Sequence, residues 1–197
     1  MAVLADGTLV TGEEATLDRL GHGTAVMAAI QEKAPGATCL PVRVFSDALR
    51  SSAAALIAAI RWAIEQEVAI INLSLGTPNP AHRLPMAEAV EEALQAGVVI
   101  VAARENGGIP VYPGALQHVI GVGLDWDCPR QLYRFEQEEG EAAFLTSGYP
   151  RPIPGVPQGR NLHGISFATA QMAGFAALAC EQLGADRQRG PIGVAAI

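Results

Sequence analysis

Apolar residues along this chain fall into two alternating patterns. Short continuous runs at 68–73, 98–103 and 118–122 suit strands covered on both faces. Longer stretches between them repeat apolar positions at helical spacing. In 51–65, Leu56, Ile57, Ile60, Ala63 and Ile64 form one face, with Ser51 and Ser52 as cap candidates. The stretch 84–96 repeats that pattern, and Gly97 closes it. In 39–45, Leu40, Val42 and Val44 alternate, which predicts a strand. Residues 1–4 predict a strand, Ala5 to Thr8 a turn, and Leu9-Val10 a hairpin return, followed by a polar loop over 11–20. A helix is expected from His22 to Lys33, stopped by Ala34-Pro35-Gly36-Ala37. The run 167–183 carries only Glu181 as a charge and predicts a helix buried nearly all round.

Strands alternating with helices imply an α/β fold of three layers, a mainly parallel sheet with helices on both faces. In such sheets ligands sit at the carboxyl ends of the strands. Past Gly123 the pattern weakens. Leu132-Tyr133 and 142–145 suit short strands, and the proline-rich 149–157 suits an extended loop. Turns are expected at 105–108 and 112–114. The acidic run 136–141 reads as a solvated loop or hairpin tip. Neither an internal repeat nor a linker divides the chain, so 1–197 is expected to be a single domain.

Composition narrows the function. With 197 residues, 50% of them hydrophobic, the chain can bury one sizeable core. A formal charge of -7 and the lack of a Lys/Arg cluster exclude nucleic acid as the main partner. Cys39, Cys128 and Cys180 are odd in number and widely spaced, which suits buried free thiols and no metal site. No cofactor motif is present. Residues 1–10 lack the basic start and long apolar stretch of a secretory leader, and no segment suits a membrane span, which points to a cytoplasmic chain.

Candidate chemistry sits at the ends of these elements. Ser166 stands at the first turn of the buried helix, where a helix's positive end would stabilise an anion. By itself it could as well be an N-cap. Five segments in order change that balance. They are Gly21-His22-Gly23-Thr24, then Ala34-Pro35-Gly36-Ala37 with Val42-Arg43-Val44, then Asn72-Leu73-Ser74-Leu75-Gly76, then Tyr112-Pro113-Gly114 with the strand 118–123, and finally Gly164-Ile165-Ser166-Phe167-Ala168. Together they resemble the subtilisin-like serine peptidases, the subtilases, across 21–178. The resemblance implies a subtilisin-like fold, a Ser-His-Asp mechanism and peptide or protein substrates. Ser166 would be the nucleophile and His22 its general base. Ser74, Leu75 and Gly76 would offer backbone groups to an extended peptide. His82, His118 and His163 read as surface or strand residues.

Two departures accompany the resemblance. The family carries its acid at the end of a first strand, in a V-I-D-[ST]-G pattern. Here Ala5 stands at that place and Asp6 comes one residue late, which points it to the other face of a strand. Residues 1–10 could instead be the family's second strand, with the acid-bearing strand outside this chain. Asp18, four residues before His22, is expected to cap or solvate its loop. The second departure is the oxyanion loop. The family's A-A-G-N-x-G is met by Ala102-Ala103-Arg104-Glu105-Asn106-Gly107, so Arg104 and Glu105 stand for the glycine and asparagine. Asn106 could serve as the donor only in a loop rearranged by one residue. Three readings follow: a serine endopeptidase, a catalytically impaired domain that binds peptide or protein partners, and another α/β hydrolase. The last lacks its usual G-x-S-x-G elbow, because Ala168 stands at the second glycine.

Overall fold

The computed structural model describes residues 1–45, 48–138, 141–185 and 193–197. An N-terminal hairpin, β1 (Ala2–Val3) and β2 (Leu9–Val10), leads through a loop to helix α1 (His22–Lys33). Strand β3 (Thr38–Pro41), helix α2 (Ala53–Glu65), strand β4 (Ile70–Leu73), helix α3 (Arg83–Gln95) and strand β5 (Val99–Ala103) follow. A small hairpin, β6 (Glu105–Asn106) with β7 (Ile109–Pro110), precedes β8 (Val119–Leu124). The chain then forms β9 (Arg134–Glu138), β10 (Glu141–Thr146), the long helix α4 (Ile165–Ala185) and β11 (Gly193–Ala196).

Seven strands make one sheet in the order β3-β11-β4-β5-β8-β10-β9. All its pairings are parallel except β10 with β9. Strand β11 closes the gap between β3 and β4, with Ala196 level with Pro41 on one side and Asn72 on the other. The N-terminal hairpin lies outside that gap. Its Ala2 bridges Arg43, just beyond β3, in parallel sense, and Val3 N donates to Arg43 O at 2.8 Å.

Strand periodicity sorts the core into two layers, because successive side chains point to opposite faces. Ile71 and Leu73 of β4, Ile100 and Ala102 of β5, and Ala195 with Ile197 pack with α2 and α3. Ile70, Val101, Val194 and Ala196 pack with α1 and α4. The continuous apolar strands of the sequence are therefore covered on both sides, as expected. Helix α2 starts where its cap candidates stand: Ser52 Oγ accepts from Ala55 N at 3.0 Å and donates to Ala5 O. Helix α4 is buried along most of its first half, and buried polar side chains tie it to the end of β10 and the residues after it. Thr146 Oγ1 donates to Ala168 O at 2.6 Å, and Gln171 Nε2 donates to Ser147 O at 2.6 Å. Helices α1 and α4 meet at Gly174, where a Cβ would lie 2.7 Å from Lys33 Cβ and 2.9 Å from Ile30 O.

Several boundaries differ from the sequence expectation. Strand β3 stops at Pro41, and the extended segment beyond it is shared with the hairpin at Arg43. Leu132-Tyr133 precede β9 rather than forming a strand. Glu136 to Glu138 lie in β9 and Glu141 in β10, so most of the acidic run forms the arms of a hairpin, while Glu139 and Gly140 lie outside the described residues. The loop 11–20 contains a short 3-10 turn at Glu13–Thr16. Strand β11 had no sequence signal, because Gly193-Val194-Ala195-Ala196 lacks β-branched density. Cys128 is buried, whereas Cys39 and Cys180 are only half-buried; all three are free thiols. No helix among the described residues is long and apolar enough to cross a membrane.

Candidate active site

The carboxyl edge of the sheet carries the site. His22 is the first residue of α1, and Gly21 before it takes a left-handed φ of 71°. That turn is held by Asp18. Its Oδ1 accepts from Leu20 N at 3.1 Å and Gly21 N at 2.9 Å, and its Oδ2 accepts from Thr24 N and Thr24 Oγ1, each at 2.7 Å. Burial acts to raise the Asp18 carboxyl, but these hydrogen bonds outweigh it and hold the group below its ordinary value. Asp18 thus anchors the amino end of α1, as its position in the sequence led us to expect, and both its oxygens are engaged.

Ser166 is the second residue of α4, after Gly164 with a φ of 137°. Its Oγ donates to Ser74 O at 3.0 Å, and Ser74 Oγ donates to Ser166 O at 3.1 Å. Asn72 Nδ2 in turn donates to Ser74 Oγ at 2.9 Å. This clasp joins the end of β4 to the first turn of α4. It also places Ser166 against the segment that follows β4. Gly76 in that segment must be glycine, because a Cβ there would lie 2.8 Å from Tyr112 O and 2.9 Å from Val111 Cγ2. Thr77 and Tyr112 close the contact by exchanging backbone hydrogen bonds at 2.9 Å.

One cleft of about 300 Å³ gathers His22, Ser166, Ser74, Leu75, Gly76 and Asn106. All six residues singled out by sequence therefore share it. Glu105 lines it too, and both Glu105 and Asn106 lie exposed in β6. The imidazole of His22 is half-buried between rings, 6.2 Å from that of Phe45 and 5.7 Å from that of Phe167, centre to centre. Burial pushes its pKa below the ordinary value, opposed by the charge of Asp18. Among the described residues no hydrogen bond joins His22 to Ser166 or to a carboxylate. In a free enzyme such bonds are often loose until substrate arrives.

Behind His22 lies a second, mainly apolar cavity of about 230 Å³ lined by Asp18, Val42, Phe45, Ala196 and Ile197 among others. The carboxyl end of β11 therefore opens beside the histidine. Asp6 lines neither cavity. It is exposed in the hairpin turn, where its Oδ1 accepts from Thr8 N at 2.9 Å. Sequence reasoning missed the approach of Ile197, since it depends on a strand with no pattern of its own.

Comparison with known proteins agrees with this geometry. The profile of the Subtilase family matches residues 5–188. Subtilisin DY of Bacillus licheniformis is 28% identical over 197 aligned residues, covering 90% of this chain and 70% of that protein. The major intracellular serine protease of Bacillus subtilis (strain 168) is 32% identical, with 84% of this chain and 57% of that protein covered. Among solved structures, the prenylagaramide maturation protease PagA matches with a TM-score of 0.58 at 27% identity, over 77% of this chain and 57% of that one. The chain spans between 47% and 70% of the length of the first six curated relatives it matches. With most of its length matched by the family profile and its histidine and serine segments facing one cleft, the chain belongs to the subtilase family of serine peptidases.

Proposed function

We propose that this chain forms the catalytic unit of a serine endopeptidase, with Ser166 as nucleophile and His22 as general base and then general acid. The observation that carries the reading is the convergence of both residues on one cleft beside Ser74, Leu75 and Gly76. In this reading His22 takes the Ser166 hydroxyl proton as Oγ attacks the peptide carbonyl, and later gives it to the leaving amine. An extended peptide lies along Ser74 to Gly76 as an added strand. Asn106 donates to the oxyanion, since Glu105 has no N–H on its side chain to offer.

The reading puts the acid that would orient His22 near the end of β11, whose Ala196 and Ile197 line the cavity beside the ring. Ala196 is level with Asn72, so the next residue but one along β11 would be level with Ser74. Val194 and Ala196 face α1 and α4, whereas Ile197 faces the other layer. Alternation therefore turns the side chain of a residue joined to Ile197 toward the layer of α1, on which His22 stands. Asp6, exposed in the hairpin turn, and Asp18, with both oxygens engaged in the turn before α1, are poorly suited to that role.

A second reading is a catalytically impaired domain that binds peptide or protein partners. Its support is that the Ser166 hydroxyl is spent on Ser74 O and that no described carboxylate holds His22. A fluorophosphonate probe separates the two. The peptidase reading expects labelling that disappears in Ser166→Ala. A folded chain, supplied with an acid beyond Ile197, that still takes up no probe would leave only the binding reading.

A further inference from the structure

The seven-stranded sheet ends at β9, and no described strand pairs with its outer side. Such an edge offers a row of backbone N–H and C=O groups to another extended chain. The residues from Gln131 to Gln137 are all exposed, so nothing described covers this edge. Strand β9 holds no proline, and its register with β10 runs unbroken from Arg134 opposite Leu145 to Glu138 opposite Glu141. The opposite edge of the sheet is different. There β3 ends in Pro41, and the N-terminal hairpin bridges the chain just beyond it at Arg43.

Alternation gives β9 two unlike faces. Tyr133 and Phe135 lie on the side of α4. The ring of Phe135 is 5.1 Å from that of Phe144, and the ring of Tyr133 is 5.8 Å from Phe144 and 5.3 Å from Phe175 of α4, centre to centre. This aromatic row is unfinished on its outer side, where Phe135 is 54% exposed and Tyr133 48%. Arg134 and Glu136 leave on the other face. Arg134 holds Asp125 through Nη1 at 2.7 Å, yet its side chain is 56% exposed. Glu136 is exposed as well. Charges on an edge ordinarily discourage pairing. Here the two are opposite in sign and flank Phe135 symmetrically. A second β9 laid antiparallel, with Phe135 opposite Phe135, sets Arg134 of each copy opposite Glu136 of the other. A slip of two residues either way sets Arg134 opposite Arg134, or Glu136 opposite Glu136, and like charges directly opposite destabilise a pair of strands. The edge is therefore complementary to itself in one register, as a two-fold contact requires.

We propose that β9 is the contact by which two copies of this chain pair, edge to edge about a two-fold axis at Phe135. The pairing joins the two sheets into one and covers Tyr133 and Phe135 of both copies on the side of α4. It does not depend on the peptidase reading, so its test is assembly rather than turnover. Sedimentation velocity over a concentration series is expected to show a mass rising to twice that of one chain. Glu136→Arg sets arginine opposite Arg134, and Arg134→Glu sets glutamate opposite Glu136; each is expected to weaken the pair by about tenfold or more. A chain carrying both substitutions restores the opposite charges and is expected to pair again, as is a mixture of the two single variants. Should chains carrying Arg134→Glu not fold because Asp125 loses its partner, Glu136→Arg and Phe135→Gln decide the matter, both expected to be monomeric. A chain that stays monomeric throughout the series overturns the proposal and leaves the edge to a partner of another kind. So does a dimer that a folded Glu136→Arg or Phe135→Gln variant leaves unchanged, or a folded double variant that does not pair again.

Discussion

His22 and Asp18 share one turn but do different work. Asp18 spends both oxygens on the backbone and hydroxyl of the turn, and so fixes where the imidazole stands. His22 itself is desolvated, which favours the neutral ring. Two consequences follow with a definite sign. The base form persists below the ordinary histidine value of about 6.5, so the acid limb of the labelling rate against pH is expected to lie below that value. Folded-state stability from this group is complete above the unfolded value and is lost as pH falls through the lowered folded one, because the unfolded chain binds the proton more readily. NMR titration of the His22 ring checks both; a midpoint at or above the free-histidine value would contradict them. Gly21-His22-Gly23-Thr24 made the histidine legible in sequence. The capping role of Asp18 was legible as well, from its place four residues earlier.

Helix α4 illustrates what an element adds. Its near absence of charge predicted burial nearly all round, and Phe167, Ala168, Ala170 and Ala173 do lie in the core beside α1, but Leu178 and Leu183 near its end are exposed, so the expectation holds only for the first half. The crossing with α1 rests on Gly174. Replacing a helical glycine by alanine ordinarily gains about 1 kcal/mol from helix propensity alone. Here the added Cβ would meet Lys33 Cβ at 2.7 Å and Ile30 O at 2.9 Å, and neither is the far end of a flexible side chain. Overpacking of that kind costs about 1–3 kcal/mol, so it is expected to win and Gly174→Ala to destabilise. Urea unfolding measures the sign; a stabilised variant would mean that the two helices part easily. That test bears on the active site too, since α1 and α4 carry His22 and Ser166 at their first turns.

At the scale of the molecule, the sheet brings together residues 144 apart in sequence, His22 and Ser166, because its parallel strands end at one edge, where the first turns of α1 and α4 also lie. The least expected part is β11. Its small residues fill the gap between β3 and β4 and end beside the histidine cavity. A chain extended by aspartate after Ile197 is therefore expected to raise the His22 titration midpoint above that of the same chain extended by asparagine, since a nearby carboxylate favours imidazolium. Equal midpoints would show that the end of β11 does not reach the ring. Most of the fold was readable in advance where apolar runs were long or periodic. The hairpin 1–10 left two readings open in the sequence, and in the fold it pairs at Arg43 rather than between β3 and β4.

Sequence by itself determined the alternation of strands and helices, the two-sided burial of the sheet, and the identity of the histidine and serine segments. Each is a local pattern: period, cap, glycine or motif. Only the tertiary structure decided which residues meet. It spent the Ser166 hydroxyl on Ser74, set Arg104 on the opposite side of a wall from Asn106, and inserted β11 between β3 and β4. Those outcomes depend on register and on contacts between segments far apart in the chain, which no window of sequence contains.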